Sequence, residues 1–566
     1  MADCLTQKPR LVATGSGFSI LYTVEYKGRF LYSKYSPTRS ICSIVQNMAA
    51  QPSTLVLVNS PALFYGLVDL LQKLPDDCVV LAVEDDENLL ELARSSLENL
   101  KEKNPRQDFS SVHLFSTKHL LDLDSFIREA VNTGKIRRTL SIDFSAGKSF
   151  NPKIYELVFS AAQEIVATFW KNRVTLVKMG RLFSKNIMEN LKSLDSGFRL
   201  SDVVRTVEKP ILVLGAGESL DSTLSPASPL LGRILDEDFF VITVDASLTT
   251  VLERGIKVDA TVGLESQFAI QKAYIGSHGC GTVFFADLCS RPQVQRMFKE
   301  RTVWFASDFA PGKFLDRIKT FLPDFIPPLG SVGLAAVHIA LSLRKDDSVP
   351  VFVSGLDLSY SIGKTHAKDT PAHKARLSSC GRIFSIDNLD AAFSPAASLV
   401  TGKDGRTMAT TPSMLSYRQN FFNNFSASKN LFDIGKSGLD LGIQKIDGKQ
   451  AEALSKNVLK KIRGRTESRG KTSTDKSSTA EKNMAAKIYL DEERLALTKI
   501  RDLLSMGEKS QFFEKGTGLS SQIENLLSGR EYLYLHFPDG YRLSMDQGFL
   551  KRVRAEIDFF LKAMKD

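Results

Sequence analysis

Six short apolar runs, each without polar alternation and each set off from the next by a longer stretch, constrain this chain more than any other feature. They are ILVLG (211–215), FFVITVD (239–245), DATVGLE (259–265), TVFFAD (282–287), TVWFAS (302–307) and VPVFVSG (349–355). A strand with one face in water alternates polar and apolar residues; a strand covered on both faces does not need to. The pattern therefore predicts an α/β domain built on a buried parallel sheet. Ligands of such sheets lie at the carboxyl ends of the strands. In chain order those ends read Gly215-Ala216-Gly217-Glu218-Ser219-Leu220, Asp245-Ala246-Ser247, Glu265-Ser266-Gln267, Asp287 and Gly355-Leu356-Asp357.

At 566 residues the chain is long enough for several domains. Upstream, FSILYTVEYKGRFLYSKY gives two alternating strands around a Lys27-Gly28 turn. TLVLV (54–58), a helix from Pro61 to Gln72 and CVVLAVE (78–84) then make a β-α-β unit. Glu84, Asp85 and Asp86 follow its second strand, where a ribose-binding acid would stand, but Asn59-Ser60-Pro61 offers no glycine turn for a phosphate. This region is expected to be a Rossmann-like scaffold. Residues 461–482 are Ser, Thr, Gly, Lys and Arg with almost nothing apolar, and read as a flexible basic linker. After it, Leu550, Val553, Ile557, Phe560, Leu561 and Met564 recur at helical spacing, and EYLYLHFPDGYRLS reads as a hairpin turning at Asp539-Gly540. The organisation expected is an N-terminal hairpin plus Rossmann-like domain (1–204), a central domain (205–460), the linker (461–483) and a mostly helical C-terminal domain (484–566).

Lys and Arg number 74 against 64 Asp and Glu, a net +10. The linker stretch 461–482 alone holds seven basic and three acidic residues, 7 − 3 = +4. Basicity therefore says little about the folded parts, and nucleic acid is not an expected partner. Apolar content of 43% and charged content of 24% exclude a disordered or collagen-like chain. No apolar run reaches the ~18 residues of a membrane span. The start, MADCLTQKPR, lacks the apolar core of a signal peptide, and the six cysteines show no metal spacing; a cytoplasmic protein with reduced thiols is expected.

The turn GAGESL directly follows a strand, so its glycines could admit a phosphate or ribose. Leu220 stands where a dinucleotide fingerprint needs its third glycine, and Pro226 and Pro229 interrupt the helix that should follow. Ser331 and Gly333 open the apolar helix LAAVHIALSL, a start that could serve as a plain cap or as an anion site. Past the end of VPVFVSG, Tyr360, Thr365, His366, Asp369 and His373 cluster where a general base would stand.

Taken together, GAGESL, ITVDASLTTVLERGIKVDATVGLESQ, GSVGLAAVHIALSL and VSGLDLSYSIGKTHA resemble the central domain of the motility-associated Maf flagellin glycosyltransferases. They also resemble, in the same order, the G-[PS]-S-L turn, S-G-V helix start and S-G-[IL]-D strand end of bacterial sialyltransferases. YSKYSPTRS, near the N-terminus, is similar to a second Maf pattern. The resemblance implies a sialyltransferase-type central sheet and transfer of a nonulosonic acid, pseudaminic or legionaminic in type, from a CMP-activated donor to Ser/Thr of flagellin. That reaction serves the bacterial flagellum and motility. It places the nucleotide sugar against Gly215, Gly217, Glu218, Ser219, Leu220, Asp245, Ser247, Glu265, Asp287, Ser331, Gly333, Ser354 and Gly355. His366, Tyr360, His373 and Asp357 are the implied catalytic set, in an inverting displacement with no metal and no cofactor beyond the donor. Ala216 and Glu218 depart from the usual turn, and Glu218 brings an acid to a site for an anion. The same central domain also resembles archaeal 6-hydroxymethylpterin diphosphokinase, which implies ATP and Mg²⁺ near Glu218, Asp245 and Glu265. A non-catalytic flagellin-binding assembly factor is the third expectation.

Overall fold

The computed structural model describes residues 8–14, 20–298, 301–310, 312–466, 479–510 and 518–565. Contacts divide the chain into two compact units, Met1–Lys178 with Phe537–Arg542, and Met179–His536 with Leu543–Asp566. The division falls within the 40-residue helix Pro152–Leu191, upstream of the 204–205 boundary read from the sequence.

In the first unit, β1 (Arg10–Thr14), β2 (Leu21–Tyr26) and β3 (Arg29–Phe30) form an antiparallel sheet. Lys27 (φ 46°) and Gly28 (φ 72°) are both left-handed, as a two-residue hairpin turn requires. Four parallel strands follow, β4 (Thr54–Asn59), β5 (Val79–Glu84), β6 (Val112–Ser116) and β7 (Arg138–Asp143), in spatial order β6-β5-β4-β7. Val56 and Val58 join one apolar cluster and Leu55 and Leu57 another, so β4 is covered on both faces. The helix expected from Pro61 begins only at Leu67. Ser60, Ala62 and Phe64 have φ of 45°, 42° and 52°, which a right-handed helix excludes. The Tyr32 hydroxyl holds that loop open by donating to Pro61 O and accepting from Leu63 N, both at 3.0 Å. Glu84 is buried and accepts from Ser60 Oγ (2.8 Å) and the Tyr155 hydroxyl (2.9 Å), while Asp86 caps the helix Glu87–Lys103. Both acids serve the scaffold.

The second unit holds the sheet announced by the six apolar runs. Its strands are β8 (Phe198–Arg199), β9 (Ile211–Leu214), β10 (Phe240–Val244), β11 (Ala260–Gly263), β12 (Val283–Asp287), β13 (Thr302–Ser307), β14 (Phe325–Ile326) and β15 (Val351–Ser354). A separate hairpin pairs β16 (Ser398–Thr401) with β17 (Thr407–Thr410), and β18 (Leu431–Asp433) and β19 (Gln444–Lys445) complete the main sheet. Among the described residues the main sheet has ten strands in the order β14-β13-β12-β11-β10-β9-β15-β18-β19, with β8 beside β13, and every pairing is parallel. Helix Val332–Leu343 packs Leu334, Ala335, Val337 and Ile339 into the same core as Val213, Val244, Val262 and Val353. Each fully buried Leu, Ile or Val contributes about 1.5–3 kcal/mol. His338 of that helix is largely buried, and burial lowers its pKa.

The C-terminal part is helical, with Thr479–Ser510, Gly518–Leu527 and Gln547–Ala563; in the last, Leu550, Val553, Ile557 and Phe560 are buried as their spacing required. No hairpin forms at EYLYLHFPDGYRLS. Glu531–Leu533 is a short 3-10 helix, and Tyr532, Leu533, Tyr534 and Leu535 are all buried, leaving no solvent face for a two-stranded ribbon. The Tyr532 hydroxyl donates to buried Glu493 at 2.7 Å, and the Glu531 carboxylate accepts from Lys313 N and Phe314 N. Of the expected linker, residues 461–466 end the helix Gly448–Thr466, 479–483 begin the next helix, and 467–478 lie outside the described residues. Among the described residues no helix is long and apolar enough to cross a membrane.

Candidate functional site

From β9 the chain steps outward through β10 to β14, then returns to place β15 on the other side of β9. The strand order therefore reverses between β9 and β15, where open parallel sheets bind ligands. The turns GAGES and SGLD leave these two strands and meet. Gly215 N donates to Ser354 O and Gly217 N to Gly355 O, both at 2.8 Å. A Cβ on Gly215 would stand 2.7 Å from the carbonyl carbon of Gly355, and one on Gly355 (φ 73°) would stand 2.7 Å from that of Gly215. A Cβ on Gly217 would lie 2.6 Å from Asp357 Oδ2, and one on Gly333 would run into Leu356. These glycines let protein meet protein, and the space beside Gly215 and Gly355 is filled by the opposing turn.

Asp357, 2% exposed, ties the two turns together. Its Oδ2 accepts from Ser219 N at 2.8 Å and from Ser437 Oγ at 3.5 Å. Burial pushes its carboxyl up to about 6, against the opposing pull of those bonds and of Lys403. Ser354 Oγ meets Thr223 Oγ1 at 2.7 Å, and Ser219 Oγ accepts from Ser437 N at 3.0 Å. Beneath them Lys403 Nζ pairs with Asp433 Oδ2 at 2.5 Å, with both side chains almost wholly buried. Leu220 is core.

The other strand ends carry acids in different roles. Asp245 is buried beside Tyr274, accepts from Ala246 N at 2.7 Å, and is pushed up to about 7 by burial, aided by the Glu265 charge. Ser247 Oγ donates to Leu214 O at 2.7 Å, closing the end of β9. Asp287 is buried, accepts from Cys289 N (2.8 Å) and Ser307 Oγ, and burial raises its pKa. Glu265 is exposed, its Oε1 accepting from Gln267 N at 3.0 Å. Ser331 caps its helix, Oγ accepting from Gly333 N at 3.3 Å. Among the described residues no three His, Cys, Asp or Glu side chains form a metal-ligand cluster.

A cavity of about 540 Å³ opens just past the β15 turn, lined by Lys364, His366, Lys368, His373, Arg376 and Asp387 among others. Ala367 N donates to Ala216 O at 2.9 Å, so the cavity loop is bonded to the glycine turn. Asp221, in the short helix after that turn, accepts from Lys364 Nζ at 2.7 Å and from Lys368 N at 3.1 Å. His366 Nδ1 lies 3.1 Å from Thr365 Oγ1, and burial lowers its pKa, so it is neutral near pH 7. His373 Nδ1 accepts from Asp369 N at 3.2 Å, which puts the proton of the neutral ring on Nε2. Tyr360 and Asp357 are not in the cavity lining; the Tyr360 hydroxyl donates to Ala391 O at 2.7 Å and its ring is core. Glu218 turns toward the β16–β17 hairpin, accepting from Ser361 Oγ and pairing with Arg406 at 3.5 Å. Arg406 is half-exposed and is shared with Asp404 at 2.8 Å, so the Glu218 charge is only partly answered.

The structure therefore brings the glycine turns, Ser219, Ser354 and Asp357 into one knot, and His366 and His373 into the adjoining cavity. The basic residues of that cavity carry no motif of their own; their one sequence signal is the run K-T-H-A-K past a strand end. Lys403, Asp433 and Ser437 come from distant segments and gave no local signal.

Residues 185–363 match the family described as 6-hydroxymethylpterin diphosphokinase MptE-like. An uncharacterized protein of Treponema pallidum (strain Nichols) is 29% identical over 99% of this chain and 96% of its own length. The structure of a Maf glycosyltransferase from Magnetospirillum magneticum AMB-1 superposes with a TM-score of 0.56 at 13% identity, covering 99% of this chain and 91% of that one. The chain thus shares the fold of that glycosyltransferase, and its motif resemblance is matched at the level of fold.

Proposed function

We propose that this protein is a glycosyltransferase that moves a nonulosonic acid of pseudaminic or legionaminic type from a CMP-activated donor to Ser or Thr hydroxyls of flagellin. It would act in the cytoplasm and serve flagellar assembly and motility. The observation that carries the reading is the basic, histidine-bearing cavity bonded to the glycine turn at the reversal of strand order. Lys368 and Arg376 supply positive charge for a phosphate that gains negative charge as the glycosidic bond breaks, while Lys364 is shared with Asp221. His366, neutral, takes the proton from the acceptor hydroxyl, whose oxygen attacks the anomeric carbon as CMP departs. His373, with its proton on Nε2, donates to the leaving phosphate. Asp357 acts one step back by fixing Ser219 and the two turns. The Maf fold neighbour supports this reading, and its length favours a protein acceptor.

The match to the MptE-like family supports a second reading, pyrophosphoryl transfer from ATP with Mg²⁺. Calorimetry separates the two. The first reading expects CMP to bind without divalent metal and to be insensitive to EDTA; binding of ATP only with Mg²⁺, and none of CMP, would refute it.

A further inference from the structure

The last turns of helix Pro152–Leu191 hold the loops that follow β11 and β12. Asn186 Nδ2 donates to Ser266 O at 3.1 Å and to Cys289 O at 3.0 Å, one carbonyl in each loop. One helical turn on, Asn190 Nδ2 donates to Leu288 O at 2.8 Å and to Ser290 O at 2.9 Å. Both asparagines are fully buried, at 0% and 1% exposure. Each amide spends both of its hydrogens on carbonyls, and only the NH2 end of a side-chain amide can do so; this fixes the orientation of each. The four carbonyls lie past the ends of the strands, where an unmet buried carbonyl costs roughly 1–3 kcal/mol.

These bonds fall at the carboxyl edge of the sheet. Ser266 lies between exposed Glu265 and Gln267, and Leu288 follows Asp287. Glu265 is near enough to Asp245 for its charge to help raise that carboxyl. The stretch matched by the MptE-like family begins at residue 185, so this helix end is counted with the sheet it holds. No sequence motif marks either asparagine.

We infer that Asn186 and Asn190 are positioning residues that set the Glu265–Gln267 segment and the Asp287 turn at the donor-binding edge. This rests on the proposed function, extended to a CMP-sugar whose phosphate lies in the cavity past β15 and whose remaining groups reach the ends of β11 and β12. Asn186 spans both loops and carries the larger effect. A carboxylate in its place would face two carbonyls with no hydrogen to give, and would regain one only when protonated.

The test uses full-length wild type, Asn186→Ala, Asn186→Asp and Asn190→Ala. Hydrogen exchange is followed in peptides covering 264–268, 287–291 and the β9 and β15 turns, and CMP affinity is measured by calorimetry at pH 7.5 and 5. The expected result is exchange faster by about tenfold or more in the two held loops and unchanged at the β9 and β15 turns. CMP affinity should fall about tenfold in both Asn186 variants and less in Asn190→Ala. Relative to wild type, Asn186→Asp should recover part of that loss at pH 5 and Asn186→Ala none. Unchanged exchange in the two loops, or protection lost evenly through the sheet with CMP affinity intact, overturns the inference. If wild type binds no CMP, the donor reading fails, and the exchange data alone then decide whether the asparagines hold the edge.

Discussion

Gly355 and Gly255 share a backbone angle, φ 73°, and differ in what surrounds them. Among the described residues nothing lies within 4 Å of a Cβ built on Gly255, whereas one built on Gly355 meets the carbonyl of Gly215, with its carbon at 2.7 Å. Alanine in a left-handed conformation costs about 1–2 kcal/mol at either site. At Gly355 the turns must also part, weakening Gly215 N to Ser354 O and Gly217 N to Gly355 O. Each such bond contributes about 1 kcal/mol. Gly355→Ala should therefore destabilise by about 3–4 kcal/mol and Gly255→Ala by about 1–2 kcal/mol. The loss of unfolded-state freedom is common to both and cancels in the difference. The chain has two tryptophans, and Trp304 is fully buried in β13. In a Trp170→Phe background its fluorescence reports the main sheet during urea unfolding. Equal destabilisation by the two alanines would refute the claim that the turns are in contact.

Buried Asp245, raised to about 7, and Asp357, raised to about 6, bind protons more tightly folded than unfolded. Their contribution to stability is full below the ordinary carboxylate range and is lost as pH rises toward 7, at up to about 1.4 kcal/mol per pH unit for each group. Asp245→Asn should thus gain stability over wild type at pH 8 and lose that advantage below about pH 4 in thermal melts; a constant difference would contradict the burial argument. Lys403→Met leaves Asp433 buried and uncompensated, at a cost of about 3–5 kcal/mol, and Lys403→Met with Asp433→Leu should recover most of it; additive losses would show the pair is not coupled. Glu218→Gln removes an anion from the turn while Arg406 stays paired with Asp404 at 2.8 Å, so CMP should bind several-fold tighter at low salt, with the gain fading at high salt. An unchanged calorimetric affinity would place the phosphate away from that turn.

The sheet was legible because burial on both faces writes itself into composition, as ILVL of β9 and VFVS of β15 show. The stripe from Leu550 to Phe560 was legible because one helix face is buried. Segments governed by distant partners were not. YLYLH has the residues of a strand, yet Tyr532 is drawn to Glu493 and the run is buried on every side. The loop after β4 lacks glycine at Ser60, Ala62 and Phe64, so its left-handed backbone left no trace in the residue types. At the candidate site, the glycine turns after β9 and β15 were visible in the sequence, but not that their glycines answer each other. The position of Glu218 was legible, while its partners Ser361 and Arg406 emerge only when the hairpin folds back.

The central claim is transfer of a sugar to flagellin. It is tested most directly by incubating the full-length protein with unglycosylated flagellin and a panel of CMP-activated nonulosonic acids, then measuring intact mass. The account predicts a mass gain of whole sugar residues on flagellin, abolished by His366→Ala in a protein that still folds and binds CMP. No mass gain with any activated donor, together with unaltered flagellin in a strain lacking the gene, would contradict it.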